Sequence, residues 1–211
     1  MKRLDYTLYL VTDRSCMTTP TLEEAVEQAI LGGCTMVQLR EKEASARDFL
    51  ETAQRIQIIT RRYSVPLIIN DRVDLALAVD ADGIHVGQQD LPCSVVRSLV
   101  GPEKIVGVSA ATLAEAKQAQ ADGATYLGIG AMNTTATKTN TRNVTPAQLA
   151  EIKATVTIPV VAIGGINPAT LPNLSHTGID GIAVVSAILA QPDVLQATAQ
   201  LKAEFKEQIH E

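Results

Sequence analysis

Tryptophan is absent from the 211 residues, and aromatic side chains make up only 3% of them. Proteins that bind single-stranded nucleic acids stack the bases on aromatic rings, so this composition argues against such a platform. An excess of basic residues is missing as well, because 18 Lys and Arg stand against 23 Asp and Glu, which gives a net charge of −5. We therefore expect no nucleic-acid partner.

Paired cysteines and long apolar runs are also lacking. Cys16, Cys34 and Cys93 form no Cys-x-x-Cys pair and are odd in number, which predicts neither a disulfide framework nor a thiolate zinc site. The apolar run 8–11 is far shorter than the core of a signal peptide. No stretch approaches the ~18 apolar residues of a membrane span. The sequence thus predicts a cytoplasmic protein with no membrane partner.

Apolar residues are nevertheless plentiful, at 46% of the chain, and they fall into a regular pattern. Short apolar, β-branched runs alternate with longer segments of helical spacing, which is typical of a parallel sheet covered on both faces. Eight such units predict one (β/α)8 TIM barrel domain over residues 1–211, with a doubly wound open sheet as the alternative. The predicted strands are 7–11, 35–39, 67–69, 83–86, 105–108, 126–129, 160–163 and 181–185, and the predicted helices are 22–30, 49–62, 74–79, 113–121, 146–155 and 194–209.

Two threonines directly precede predicted helices. Thr112 is followed three residues later by Glu115, and Thr145 is followed at the same distance by Gln148. This is the spacing of a capping box, in which the two residues exchange side-chain and backbone hydrogen bonds. We expect both helices to begin in this way.

Charged side chains follow several predicted strands, where the working groups of such barrels lie. They include the cations Arg40, Lys42 and Lys138 and the carboxylates Asp71 and Asp90. Cations suit phosphate oxygens, and Mg²⁺ is commonly held by one or two carboxylates together with substrate phosphates. The set therefore predicts a pocket for a diphosphate and one Mg²⁺ ion.

Each of these residues also has a simpler structural alternative. Asp71 could cap the following helix, and Asp90, which precedes Leu91 and Pro92, could be a turn residue. The two cations after the second strand could be solvated charges. For His85, at the end of the fourth strand, a structural hydrogen-bonded role and a ligand contact are equally open. The coincidence of charged groups at the ends of different strands favours the pocket.

A second phosphate subsite is predicted on the other side of the ring. The turns after strands seven and eight of a TIM barrel often bind phosphate through backbone N–H groups. Gly164-Gly165 and Val185-Ser186 occupy these positions. A metal-bound diphosphate facing a monophosphate implies two substrates, which favours group transfer over hydrolysis.

At these residues the sequence resembles the thiamine phosphate synthase family, and the similarity extends over nearly the whole chain. The most specific segment is 67–90, LIINDRVDLALAVDADGIHVGQQD. Shorter matching segments are 8–13, 38–42, 106–109, 135–138, 162–166 and 184–186.

The resemblance implies a reaction between two small molecules in thiamine biosynthesis. A hydroxymethylpyrimidine diphosphate loses pyrophosphate, and the ring nitrogen of a hydroxyethylthiazole phosphate takes its place to give thiamine phosphate. The family's step is regarded as dissociative, with the pyrimidine leaving first as a carbocation. Such a transferase depends on positioned electrostatics more than on acid–base catalysis. A homodimer is also expected.

The resemblance further assigns residues of this chain to roles. Asp71 and Asp90 bind one Mg²⁺ ion, and the catalytic residues are Lys138, Arg40 and Ser109. The residues that hold the pyrimidine diphosphate are Gln38, Leu39, Arg40, Glu41, Lys42, Asn70, Ser109 and Lys138. The residues that hold the thiazole phosphate are Thr135, Ala136, Thr137, Gly165, Val185 and Ser186.

Four positions depart from the family's pattern. Asn133 and Thr134 replace an aromatic residue and a proline, Ala111 replaces a frequent histidine, and Asn140 replaces an acidic residue. Two alternatives are open. One is a metal-free isomerase like the related thiazole tautomerases, which needs a proton-transfer group, most economically a histidine, although Ala111 stands where that histidine would be expected. The other is a catalytically weak, ligand-binding paralogue.

Overall fold

The computed structural model describes residues 4–133 and 142–210, and its strands form one closed barrel. All eight strands run parallel and pair in chain order, and the last closes on the first through pairs such as Leu8 with Ile182. The predicted (β/α)8 barrel is confirmed. The strands are β1 Leu8–Val11, β2 Met36–Leu39, β3 Leu67–Asn70, β4 Gly83–Val86, β5 Ile105–Ala110, β6 Tyr126–Ile129, β7 Val160–Ile163 and β8 Gly181–Val184.

The helices follow the strands in alternation, and two of them are not among the predicted ones. The first of these, Cys93–Val100, is only eight residues long, and its exposed face mixes Ser94 and Ser98 with the apolar Val95 and Leu99, which are 43% and 52% exposed. The second, Ser186–Leu189, is only one turn long. The helices are α1 Leu22–Leu31, α2 Ala46–Arg62, α3 Val73–Ala78, α4 Cys93–Val100, α5 Leu113–Ala121, α6 Pro146–Thr155, α7 Ser186–Leu189 and α8 Val194–His210, with 3-10 helices at Arg14–Cys16 and Leu171–Leu174.

The core has two layers because alternate residues of each strand face opposite sides of the barrel wall. Tyr9, Met36 and Tyr126 belong to the cluster inside the barrel. Leu10 and Val37, their chain neighbours, belong to the cluster between strands and helices. Both sides of a strand are therefore covered by protein, which is why the strands read as continuous apolar runs.

The two predicted capping boxes have different outcomes. Thr145 forms the complete box, since its side chain accepts from the backbone of Gln148 and the Gln148 side chain accepts from the backbone of Thr145. Thr112 caps α5 by accepting from the Glu115 backbone N–H. The Glu115 carboxylate, however, accepts from the backbone of Ala111 and pairs with Arg142. The second box is thus only half formed.

None of the helices in the described part of the chain combines the length and apolar character needed to cross a bilayer. Cys16, Cys34 and Cys93 are all free thiols.

Candidate active site at the C-terminal rim

Arg40 follows β2 and is held at the rim by the end of β1. Its Nη1 donates to Asp13 Oδ2 at 3.0 Å, and its backbone N–H donates to Thr12 Oγ1 with an N–O distance of 2.9 Å. The Arg40 and Asp13 side chains are only 16% and 15% exposed. Burial acts to raise the pKa of Asp13, but hydrogen bonds from Ser15 and the Arg40 charge outweigh it and lower this pKa. Arg40 is therefore a fixed cation, not a solvated surface charge.

Asp71 and Asp90 interact directly at the ends of β3 and β4. Burial, the charge of Asp90 and hydrogen bonding to its carboxyl group together raise the pKa of Asp71. Lys42 opposes this shift in part, with its Nζ 3.6 Å from Asp71 Oδ2. Two carboxylates in such proximity cannot both be ionised without cost unless a cation neutralises them. The predicted meeting of these three side chains at one rim is thus present.

The chemistry of this donor set fits Mg²⁺. Within residues 4–133 and 142–210, no cluster of three or more His, Cys, Asp or Glu side chains is arranged to hold a metal ion. Structural zinc sites use four protein ligands and calcium takes six to eight oxygens. Magnesium retains waters and binds through one or two carboxylates plus substrate phosphates. The Asp71–Asp90 pair supplies that smaller set.

The backbone around the two carboxylates decides between the structural alternatives. Asp71 has a φ of 62°, and its N–H donates to the carbonyl oxygen of His85 at 2.9 Å. The N-cap of α3 is Arg72, which makes no side-chain capping bond, so Asp71 is not a helix cap. Asp90 does close a turn, because its Oδ2 accepts from the Gly87 N–H at 2.7 Å. It therefore combines the turn role with its position beside Asp71.

Gln38, His85 and Ser109 lie within the barrel wall beneath these charges. Gln38 and His85 are buried, at 4% and 8% exposed. His85 Nε2 is 2.8 Å from Ser109 Oγ, and Gln38 Nε2 donates to the hydroxyl of Tyr9 at 2.8 Å. The structural hydrogen-bonded role considered for His85 is confirmed.

Two residues of the predicted pyrimidine set have side chains engaged elsewhere. Leu39 is fully buried in the cluster between strands and helices. Glu41 Oε1 accepts from Arg14 Nε at 2.7 Å, and its side chain is only 8% exposed. Packing and an ion pair thus account for both side chains, which leaves only their backbone atoms for a ligand.

The predicted thiazole phosphate side lies at the ends of β7 and β8, across the ring from β3 and β4. Gly165 has a φ of 62°, and its carbonyl oxygen accepts from Thr170 Oγ1 at 3.1 Å. Val185 precedes α7, which begins at Ser186. Other predicted residues lie outside the described part of the chain, namely Thr135, Ala136, Thr137 and Lys138, together with the atypical Thr134 and Asn140.

Asp13, Tyr9 and Tyr126 were not predicted as parts of the site. Asp13 directly follows β1, so reading the end of the first strand as closely as the others would have found it. The tyrosines carry a weaker signal. Polar aromatic side chains in short buried strands need hydrogen-bond partners, and this chain has only 4 tyrosines.

Comparison with known proteins now bears on this arrangement. Residues 8–188 match the thiamine monophosphate synthase family. The chain belongs to that family. A thiamine-phosphate synthase of Clostridium botulinum is 58% identical over 203 residues, which cover 96% of this chain and 95% of the relative. One of Methanobrevibacter smithii is 48% identical over 206 residues, 98% of each chain.

A solved structure agrees with this family membership. Thiamine phosphate pyrophosphorylase from Pyrococcus furiosus superposes with a TM-score of 0.89 at 39% identity, over 97% of both chains. The resemblance seen in the motifs is confirmed, and with it the enzyme class, a transferase of thiamine biosynthesis.

Proposed function

We propose that the chain condenses a hydroxymethylpyrimidine diphosphate with a hydroxyethylthiazole phosphate, with Mg²⁺, to give thiamine phosphate and pyrophosphate. The carbon–oxygen bond to the diphosphate breaks, and its electron pair leaves with pyrophosphate. The lone pair of the thiazole ring nitrogen then forms the new carbon–nitrogen bond. No oxidant or reductant is needed.

The observation that carries this proposal is the cluster of Asp71, Asp90 and Lys42 at one rim, in a chain of this family. Lys42 Nζ lies 3.6 Å from Asp71 Oδ2, and the nearby Asp90 raises the pKa of Asp71. Opposite charges held together in this way suit a leaving group that is itself a metal-bound anion.

The residues of the chain divide the work between metal and substrate. Asp71 and Asp90 would hold Mg²⁺, which when bound neutralises charge on the departing diphosphate. Arg40, fixed by Asp13 at 3.0 Å, would supply a cation to the same developing charge. Preorganised charges of this kind need no rearrangement during the reaction.

Turnover with both substrates tests the proposal. We expect thiamine phosphate and pyrophosphate to form together in the presence of Mg²⁺, and neither to form after chelation. Asp71→Asn should lower turnover by about 10²–10³-fold, as the loss of one charge-stabilising group does elsewhere. Absence of product at high enzyme concentration would reject the function, and near-normal turnover of Asp71→Asn would remove Asp71 from the metal site.

Asp80→Asn is the matched control for that variant. Asp80 is also a carboxylate at a positive φ, but it is 77% exposed and pairs with Lys104. It precedes β4, at the opposite end of the strand from the rim. We expect its turnover to equal that of the wild type.

The same measurement separates the two alternatives. Isomerisation of a thiazole without carbon–nitrogen bond formation would indicate the tautomerase-like enzyme. Tight binding of thiamine phosphate with negligible turnover would indicate the weak paralogue. The tautomerase-like alternative gives no task to Asp71 and Asp90 as a pair.

A homodimer and the absence of a nucleic-acid partner complete the proposal. Leu77, Val95 and Leu99 are exposed apolar residues on α3 and α4, at 46%, 43% and 52%, which supports burial against a second copy. The net charge of −5 opposes binding to a polyanion. Light scattering should give twice the mass of the chain, and the mass of a single chain would contradict the dimer.

A further inference from the structure

A chain of four hydrogen bonds, three of them buried and the last partly buried, crosses the inside of the barrel and ends at two of the predicted pyrimidine-binding residues. At one end, Gln38 Nε2 donates to Tyr9 OH at 2.8 Å, and Tyr9 OH lies 2.8 Å from Tyr126 OH. At the other end, Tyr126 OH is 2.9 Å from His85 Nδ1, and His85 Nε2 is 2.8 Å from Ser109 Oγ. Gln38 on β2 and Ser109 on β5 are thus joined through the core.

The Gln38 amide donates through Nε2 to Tyr9 OH, and this bond favours one direction for the protons along the rest of the chain. Because Gln38 donates to Tyr9, the Tyr9 hydroxyl proton points to Tyr126. With this direction Tyr126 donates to His85 Nδ1, which is then the unprotonated nitrogen of the ring. His85 Nε2 then carries the proton and donates to Ser109 Oγ. The Ser109 hydroxyl proton is therefore directed away from His85.

Two glycines leave room for the chain inside the barrel. A Cβ at Gly107 would lie 2.3 Å from Tyr126 OH and 2.5 Å from His85 Nδ1. A Cβ at Gly128 would lie 3.1 Å from His85 Cε1. No other residue type fits at Gly107 without displacing the two side chains, so the backbone itself preserves these bonds.

The hydroxyls of the chain remain protonated at physiological pH. Tyr9 and Tyr126 are completely buried, and desolvation raises the pKa of both well above the usual range. Each therefore acts as both a donor and an acceptor, which a hydrogen-bond chain with a single direction requires.

We propose that Tyr9, Tyr126 and His85 are positioning residues that fix the Gln38 amide and present Ser109 to the pyrimidine substrate as a hydrogen-bond donor. The inference rests on the proposed function. Breaking the chain in the middle uncouples its two ends, because it removes the hydroxyl that joins Tyr9 OH to His85 Nδ1. Binding of the pyrimidine diphosphate should weaken, whereas the thiazole phosphate, predicted across the ring, should be unaffected.

Tyr126→Phe tests this prediction, because it removes the central hydroxyl and keeps the ring. We expect kcat/KM for the pyrimidine diphosphate to fall about 10- to 100-fold, the loss caused by removing outer hydrogen-bond partners at metal sites. The KM for the thiazole phosphate should stay unchanged. Tyr9→Phe breaks the chain one step earlier and should have the same effect, which guards against a folding defect in one variant.

Tyr6→Phe is the matched control. The Tyr6 ring contacts that of Tyr126 at a centroid distance of 5.3 Å in the same cluster, but its hydroxyl takes part in none of the four bonds. We expect wild-type kinetics for this variant. An equal loss of kcat/KM in Tyr6→Phe and Tyr126→Phe would show that the tyrosines act only by packing in the core. That result would overturn the proposal.

A double-mutant cycle shows whether the effect passes through Ser109. In a Ser109→Ala background, Tyr126→Phe should have a smaller effect on kcat/KM than in the wild type, because the part of the effect that passes through the serine hydroxyl is then absent. A purely structural role would give the same loss in both backgrounds and would contradict the proposal.

The protonation state of His85 provides a readout that does not depend on activity. Nitrogen NMR of the wild type should show a neutral ring protonated at Nε2, and Tyr126→Phe should change that signal. A ring protonated at Nδ1 would reverse the direction of the chain and overturn the proposal. If the wild type forms no thiamine phosphate, the proposed function fails by itself, while the His85 signal still tests the chain.

Discussion

The charged side chains at the rim differ in how far their charges are compensated by neighbouring groups. Asp71 has a left-handed backbone, with a φ of 62°, and faces both Asp90 and Lys42. Arg40, by contrast, is fully paired with Asp13. One carboxylate therefore lacks full charge compensation in the protein alone, while the neighbouring cation is preorganised. The proposed pocket for a metal-bound diphosphate would use both conditions.

The raised pKa of Asp71 predicts a pH-dependent effect on stability. The folded state holds this proton more tightly than the unfolded state, so the stabilisation is present below about pH 4, the unfolded pKa, and is lost as pH rises through the folded pKa. In Mg²⁺-free buffer, Asp71→Asn should therefore have a higher free energy of unfolding than the wild type at pH 7. This difference in the free energy of unfolding should shrink as the pH falls towards the pKa of Asp71 in the unfolded state.

Urea denaturation at several pH values measures this effect, with Asp80→Asn as the control of opposite sign. Lys104 lowers the pKa of Asp80 through a hydrogen bond and its charge, so that substitution should lower stability at pH 7. A loss of stability in Asp71→Asn at pH 7 would show that its carboxylate is not under repulsion.

Asp13→Asn should release Arg40 without removing it. The amide keeps a hydrogen-bond acceptor but loses the charge that opposes the guanidinium at 3.0 Å. We expect the KM for the pyrimidine diphosphate to rise about 10-fold, the lower end of the range for outer partners of a ligand-binding group. Steady-state kinetics measure it, with Glu23→Gln, which disturbs a pair between α1 and α2, as the control. An unchanged KM would make Asp13 dispensable for positioning.

At the scale of the elements, the short strands depend on burial against their neighbours, whereas the ends of the helices depend on local hydrogen bonds. Most of the strands have only four residues, and nearly all of those residues are buried. The helix ends depend on local hydrogen bonds, as the capping residues Thr112 and Thr145 show. The second bond of the Thr112 box is missing because Arg142 and the Ala111 N–H occupy the Glu115 carboxylate. Tertiary contacts thus override a local motif.

Thr145→Ala should destabilise the protein by about 1 kcal/mol, the usual cost of removing an N-cap side chain. The substitution removes the acceptor for the Gln148 N–H at 3.3 Å and leaves the start of α6 uncapped. Gln148→Ala removes the reciprocal bond and should cost less. Denaturant midpoints measure both changes in stability. A loss under about 0.5 kcal/mol for Thr145→Ala, which is typical of ordinary surface substitutions, would show that the cap does not stabilise the helix.

At the scale of the whole molecule, the barrel interior is a layer of polar side chains beneath a charged rim. The interior includes apolar side chains such as Met36, Ile68 and Val161. Gln38 and His85 are buried with them but are hydrogen-bonded. The described part of the chain contains no buried side-chain nitrogen or oxygen without a partner, so burial of these polar groups is compensated.

Gly107→Ala should test how tightly this interior is filled. The added Cβ would lie 2.2 Å from Tyr126 Cζ, so the ring must move, and overpacking of this kind costs about 1–3 kcal/mol. Gly128→Ala, with its Cβ 3.1 Å from His85 Cε1, should cost less. Thermal unfolding of the two variants measures the difference in stability. Equal midpoints would show that the neighbouring side chains can move aside at little cost in free energy.

The fold and much of the rim follow from periodicity and strand ends. Eight apolar runs implied a closed parallel barrel, and their ends brought Asp71, Asp90 and Lys42 to one rim because neighbouring parallel strands end on the same side. Asp13 was not found, since its role depends on the position of the Arg40 guanidinium. The short helices α4 and α7 were not found either, because α7 is a single turn and α4 has eight residues with the apolar Val95 and Leu99 on its exposed side.

Sequence alone determined the barrel, the residue types at its rim and the family, because hydrophobic periodicity and residue type can be read directly from the order of the residues. Tertiary structure alone decided which groups act together. The Asp13 contact with Arg40 and the bonds from Gln38 through Tyr9, Tyr126 and His85 to Ser109 join residues up to 117 positions apart. Hydrogen bonds need distances near 2.8 Å, and only closure of the ring brings these atoms that close.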